Sequence, residues 1–410
     1  MFKYKLLIEK KTSMKIRNLL LAVLVVMGYQ SFGQNGGNPN DVLGQKQKGA
    51  NVITTSVPFV SIAPDARGGA MGDCGAATEA DVYSMHYNPA KYTFLDQKLS
   101  IGLGYSPWLN NLVKDMHLAY LAGAYKIDDK SAVAGSLRYF SCGEIHFTDS
   151  DGNPAGNYEP NEWAIDATYS RLLGDYLSGA VAGRFIYSDL TQGQSQTGDA
   201  SAGWSVAADV AVYYKRPVEW FSNMDAEFAF GGAISNIGSK VSYRNAGIKK
   251  DFIPTMLRFG PNLKMELDEY NSLAFSVDFT KLLVPTPPIY GKDSITHQQV
   301  IQHGMDNDVS TIVGMIHSFY DAPGGFSEEV REINIGVGAE YWYNNVFAVR
   351  AGYFNEPRMK GNRKYATLGA ALKYNMFLLD VSYLVPVNVK NGTSPLENTL
   401  RFNLSWLFGK

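Results

Sequence analysis

From about residue 98 to its end, the chain alternates apolar residues with small or polar ones. Leu99, Ile101, Leu103 and Tyr105 are separated by Ser100, Gly102 and Gly104, and Trp163, Ile165, Ala167 and Tyr169 by Ala164, Asp166 and Thr168. The same period of two runs from Val206 to Val212 around Asp209, from Leu273 to Phe279 around Asp278, from Phe377 to Tyr383 around Asp380, and from Leu400 to Phe408. A strand sends successive side chains to opposite faces, so each segment has one apolar face and one that is small, polar or acidic. About 14 strands are predicted on this basis, near residues 98–106, 114–126, 131–140, 162–173, 176–188, 203–215, 225–235, 254–266, 271–281, 332–342, 346–355, 364–374, 376–385 and 398–408.

The connections add a second pattern. Ile127–Lys130, Gly174–Asp175, the stretch at Arg216–Pro217, Leu267–Glu269, Tyr343–Asn345 and Asn375 are short. The intervening connections 141–161, 189–202, 236–253, 282–331 and 386–397 are long and rich in Gly, Pro, Asn and Ser. Short turns at one end and long loops at the other are the mark of an outer-membrane barrel with short periplasmic turns and longer external loops. Aromatic pairs near strand ends, such as Tyr213–Tyr214, Tyr341–Trp342 and Tyr353–Phe354, fit girdles at the two membrane boundaries. The predicted fold is all-β: a transmembrane antiparallel β-barrel over 98–410, in the outer membrane, with both termini periplasmic and a pre-barrel plug segment before it. Asp166, Asp209, Asp278 and Asp380 fall on the lumen side by strand parity, with Arg138, Arg184, Arg258 and Arg350 as their expected company.

Residues 1–97 do not alternate. Lys15 and Arg17 precede an apolar run from Leu19 to Met27, and Ser31-Phe32-Gly33 ends on small residues. That run falls far short of the roughly 20 residues of a spanning helix. It is the pattern of a signal peptide over 1–33, with Met14 the natural initiator and Gln34 the first mature residue. Residues 34–97 begin polar and turn more apolar, through Gly68-Gly69-Ala70-Met71-Gly72, and are expected to fold into or against the periplasmic mouth.

Composition agrees with a barrel. Charged residues are 19% and aromatics 13%, against roughly 25% charged in soluble domains. Mean hydropathy is −0.15, which excludes a bundle of membrane helices but suits strands that show lipid every second residue. A net charge of −2 gives no footprint for nucleic acid. Cys74 and Cys142 stand far apart and are read as free thiols.

At this point the sequence resembles known proteins. Ala66-Arg67-Gly68-Gly69-Ala70-Met71-Gly72-Asp73, followed by Asn88-Pro89-Ala90, resembles the pre-barrel segment of the FadL-like outer-membrane superfamily. Ser56-Val57-Pro58-Phe59, Tyr105-Ser106-Pro107-Trp108-Leu109, Val277-Asp278-Phe279-Thr280-Lys281-Leu282 and Gly361-Asn362-Arg363-Lys364-Tyr365 narrow the resemblance to the PorV (LptO) family. That family belongs to the type IX secretion system of Bacteroidetes. The resemblance implies a non-enzymatic shuttle that binds the C-terminal domain of secreted cargo proteins. It would receive cargo from the SprA translocon and hand it to an attachment complex, where the PorU sortase links cargo to surface lipopolysaccharide. The alternative is a FadL-like transporter of hydrophobic small molecules, which needs an apolar pocket in the lumen.

No catalytic or cofactor-binding motif is present, and no metal spacing: G-x-S-x-G, Walker A, H-E-x-x-H and G-x-G-x-x-G are all missing. Asp149–Asn153 starts like a calcium loop, but Pro154 occupies the position where such a loop needs glycine. His297 and His303 share a loop without a carboxylate or thiol cluster. The most informative stretch is 282–331, too long for a simple link. It opens with stiff prolines, and its Ile312, Met315, Ile316 and Phe319 have helical spacing. An apolar helical face outside a barrel needs cover. It is expected to act as a lid over the mouth or as a docking surface for cargo and translocon, with Pro287, Pro288, Tyr290, Phe319 and Tyr320 in contact.

Overall fold

The computed structural model describes residues 51–109, 115–148, 154–190, 200–221, 224–244, 250–292, 298–387 and 396–409. The predicted signal peptide 1–33, the polar stretch before Asn51, the calcium-like turn Asp149–Asn153 and His297 lie outside the described residues. No described helix is long and apolar enough to cross a membrane.

The wall is built from β1 (Leu99–Pro107), β2 (His117–Lys126), β3 (Ser131–Ser141), β6 (Asn161–Leu172), β7 (Leu177–Asp189), β8 (Gly203–Val218) and β9 (Asp225–Gly238). It continues through β10 (Met256–Glu266), β11 (Asn271–Leu282), β14 (Asn334–Tyr343), β15 (Phe347–Asn355), β16 (Lys364–Tyr374), β17 (Phe377–Pro386) and β18 (Leu400–Phe408). Each strand pairs antiparallel with its neighbours, and β1 closes on β18 with Leu103 opposite Leu404. The result is a closed ring of 14 strands. Two hairpins stand in the long connections, β4 (Ile145–Thr148) with β5 (Pro154–Tyr158), and β12 (Ile289–Lys292) with β13 (Gln299–His303). Neither was predicted. The short end is made of tight turns, as between β14 and β15, where Asn344 and Asn345 both take positive φ, a conformation asparagine tolerates.

Burial along the strands is inverted relative to a soluble sandwich. Ile165, Val206, Val210, Phe275 and Leu379 are exposed, while Asp166, Asp209, Asp278 and Asp380 are at most 3% exposed. The apolar face therefore points outward, where only lipid can cover it, and the charged face points into the barrel.

The lumen is filled by residues 51–98, which run its whole length. Asn51 N–H donates to the Met359 carbonyl and Ser56 N–H to that of Phe252, both at the mouth that carries the long connections. At the other mouth Lys126 Nζ donates to the Leu95 carbonyl (2.9 Å) and Lys98 N–H to that of Gly409. The segment thus goes beyond the mouth at which it was expected to pack. Asn51 and Gly409 lie at opposite ends of the barrel. The expectation of two termini at one end rests, on the N-terminal side, on residues outside the described ones.

Candidate functional site

Two features define the site: a closed lumen, and a long insert fixed above one mouth. The lumen is closed first by backbone-to-backbone packing. A short helix, Ala66–Ala70, is capped by Asp65, whose carboxylate accepts from Gly68 N–H (2.7 Å) and from the Tyr87 hydroxyl (2.7 Å). Immediately after it the chain lies on a stripe of glycines in β14, β15 and β16. A Cβ at Gly338 would stand 2.6 Å from Met71, one at Gly352 2.2 Å from Gly72, and one at Gly369 2.5 Å from Ala70. Gly72 itself takes φ +66 and its N–H donates to Thr367 Oγ1 (3.0 Å). The Gly-rich motif and the wall glycines are two halves of one contact, because any side chain on either would push the plug off the wall.

Charges then fix the plug. Arg67 reaches Glu340 on β14 (2.7 and 3.0 Å) and Asp81 (2.9 Å). Glu340 also accepts from Arg350, whose other arm holds Asp380 (2.6 Å). Asp278 accepts from the N–H groups of Gly75 (2.8 Å) and Ala76 (2.9 Å), with Arg258 beside it. Arg184 pairs with Asp166 and Asp209, and Arg138 donates to the carbonyls of Phe59, Val60 and Ile62. Asn88, opening the Asn-Pro-Ala turn, donates to the carbonyls of Ala76 and Val212 (2.9 Å each) and accepts from Ala90 N–H (3.0 Å). Sequence parity did not single out Glu340 or Arg401, although both sit at inward positions beside outward apolar residues and the same alternation could have found them.

An apolar cluster seals the mouth on the long-connection side: Val57, Phe59, Val60, Phe140, Ile186 and Ile253 are all buried together. At the short-turn mouth a cavity of about 330 Å³ remains, lined by Glu79, Asp81, Lys264, Trp342, Arg350 and Asp380 among others. Its lining is charged rather than greasy.

Above the sealed mouth sits the insert between β11 and β14. Lys281 at the end of β11 binds Glu329 (3.0 Å) and Glu332. Lys360 binds Glu332 (2.9 Å) and Glu328 (2.6 Å), and the Thr286 hydroxyl donates to Glu332 (2.6 Å). Asn51 Nδ2 donates to the Pro287 carbonyl (3.0 Å) and to Glu328 (3.3 Å). These groups come from β11, the insert, the loop after β15 and the plug, so the insert is locked to three other parts of the chain. None of this cluster was predicted.

The insert's helix spans Thr311–His317. Its packed side is not the one with the apolar spacing. Gly314 rests against Phe252 and Pro285, where a Cβ would approach within 2.9 Å, and Thr311 Oγ1 donates to the Gly238 carbonyl (2.9 Å). The small residues Gly314 and Ser318 are buried, while Ile312 (58%), Ile316 (56%) and Phe319 (52%) are exposed. Tyr290 and Tyr320 are exposed too, and Phe326 is 83% exposed. Pro287 is half-buried and Pro288 is buried against Gly304, so Pro288 supports the β12–β13 hairpin from within and offers no surface. His303 is exposed on that hairpin. The described residues include no group of three or more His, Cys, Asp or Glu side chains placed to hold a metal ion. Cys74 and Cys142 are free; burial, with Glu162 nearby, pushes the Cys142 thiol up to about 11.

One group makes insert docking sensitive to pH. Burial, then the nearby Glu329, raises the Asp321 carboxyl from its usual range to about 6, although Thr286 N–H donates to it. Its folded value lies above its unfolded one, so docking is strongest with the proton on and weakens as pH rises through about 6. Burial would raise Glu332 as well, but Lys281, Lys360 and Thr286 outweigh it and hold it low, so its contribution is lost only in stronger acid. Acidification from about pH 7.5 to 5.5 is therefore expected to slow proteolysis of the insert, and Asp321→Asn to remove that change. Cleavage rates with the same pH dependence in both proteins would assign the effect to another group.

The family described as "Type IX secretion system protein PorV" matches residues 45–289. Among solved structures, the toluene transporter TodX of Pseudomonas putida is 10% identical with a TM-score of 0.46, covering 85% of this chain and 99% of its own. A FadL homologue of Pseudomonas aeruginosa is 11% identical with a TM-score of 0.41, covering 88% and 100%. No curated protein matches the chain.

Proposed function

The chain belongs to the PorV family and is an outer-membrane component of the type IX secretion system, and from that premise we propose that it is a docking platform with no catalytic chemistry of its own. The long connections face the exterior and the short turns the periplasm. The insert 282–331 receives the C-terminal domain of cargo from the SprA translocon and presents it to the PorU-containing attachment complex. The observation that carries this reading is the helix Thr311–His317, held rigidly by its small-residue side while Ile312, Ile316 and Phe319 face outward. A lid would turn that apolar side down onto the mouth. Here the mouth already has its own apolar seal, and the side left bare suits a partner.

Transport of hydrophobic small molecules is the rival activity. It would need an apolar cavity and an open path, whereas the plug fills the lumen and the remaining cavity is lined with charge. Deleting the gene separates the two. Cargo is expected to accumulate in the periplasm, or to be released unprocessed, with uptake of hydrophobic solutes unchanged. Normal surface attachment of cargo with impaired solute uptake would reverse the assignment.

A further inference from the structure

The path of the plug has a consequence for topology. Residues 51–57 lie in the long-connection mouth, under the insert: Asn51 is bonded to Met359, Pro287 and Glu328, and Ser56 to Phe252. From there the chain crosses to the opposite mouth, folding back on the way so that Asp73 meets Tyr365 and His86 meets Arg138. Phe59, Val60 and Ile62 meet Arg138 near the upper end of β3; Ala66 N–H donates to Asn403 (2.6 Å) in the middle of β18; Pro89 and Ala90 carbonyls accept from Ser170 and Ser178 near the short-turn end. Only then does β1 begin, at the opposite mouth from Asn51. The direction rests on the two ends of the segment, with Asn51 and Ser56 bonded at one mouth and Leu95 and Lys98 at the other.

We propose that Asn51–Val57 lies at the outer mouth of the barrel as a surface-side strap that ties down the insert, so that the described part of the plug runs from the outside inward. This rests on the reading that the long connections face outward. It means that Asn51 and Gly409 lie at opposite faces of the membrane. It also means that the wall must close around a segment already inside it, with the β1–β18 seam, next to the plug's attachment point, the natural place for closure. The strap also makes the insert's position depend on the plug, since Asn51 contributes two of the bonds that hold Pro287 and Glu328.

Single cysteines and a membrane-impermeant maleimide test this on intact cells, in a Cys142→Ser background. Thr54→Cys reports the strap, Val300→Cys the insert and Asp129→Cys a short turn; all three positions are exposed. The expected pattern is label on Thr54→Cys and Val300→Cys before lysis and on Asp129→Cys only after it. Label on Val300→Cys with Thr54→Cys silent until lysis, or until unfolding, would overturn the external strap while leaving the outward insert standing. Label on Asp129→Cys with Val300→Cys silent would overturn the orientation itself, and the external strap with it. An Asn51→Cys, Met359→Cys pair gives a second measure on the purified barrel: oxidation should link the two, and failure to link with both thiols reactive would remove the strap from the mouth.

Discussion

Replacing Ile312, Ile316 and Phe319 together by serine is expected to stop cargo secretion while leaving the barrel assembled. The three side chains are more than half exposed and none belongs to a buried cluster, so their loss removes little that holds the fold. Serine and isoleucine have similar helix propensities, and the helix is anchored by Gly314 and Thr311, which stay. What changes is the surface offered to a partner. Truncating a central apolar anchor of an interface commonly costs more than about 1 kcal/mol, and two or three such anchors dominate most interfaces. Such costs do not add, so the loss is set by the strongest of the three, about 2 kcal/mol or more for a hot spot, a fall in affinity of roughly 30-fold. The readout is surface-attached cargo, checked against heat-modifiable gel mobility of the variant. Secretion at the wild-type level from a normally folded variant would mean that the bare helix side is not the docking face.

The ease with which parts of this fold are read from sequence follows from how each is stabilised. The wall strands declare themselves because lipid and lumen impose opposite demands on neighbouring residues; Val206, Asp209 and Val212 could not exchange places without putting charge in lipid. All 14 predicted segments correspond to wall strands, with ends displaced by three residues at most. The plug has no such period. Its path is set by contacts at large sequence separation, Gly72 on Tyr353 and Arg67 on Glu340, and nothing local in 51–98 says that it runs the whole barrel. The β12–β13 hairpin was hidden for a related reason: its residues are mostly exposed, so no buried face imposes alternation. The helix of the insert was visible from its spacing, but its orientation was not. Apolar spacing normally marks the packed side; here the close approach of Phe252 and Pro285 admits only glycine, and the apolar residues were left outside. The lock of Lys281, Glu329, Glu332 and Lys360 joins residues up to 79 positions apart and has no sequence signature at all.

That contrast bears on the lumen, where the largest effect on stability is expected. Glu340 stands between two guanidiniums, Arg67 of the plug and Arg350 of the wall, and is 2% exposed. Glu340→Gln keeps the shape and removes the charge. Arg67 would be left with Asp81, and Arg350 with Asp380, so two buried cations would share two carboxylates instead of three. Each guanidinium keeps one carboxylate, so the cost is that of weakening the charge-assisted hydrogen bonds to Glu340, on the order of 1.5–3 kcal/mol. Most of that cost falls on the seating of the plug, since the wall ladders on either side of β14 do not involve the side chain. Wild-type protein in a planar bilayer is expected to stay silent, its lumen being occupied from mouth to mouth. Glu340→Gln is expected to show intermittent current, and to convert to the heat-denatured gel form at a lower temperature. A quiet variant that melts like the wild type would show that the other plug contacts hold it without Glu340, and that this ion network adds register rather than strength.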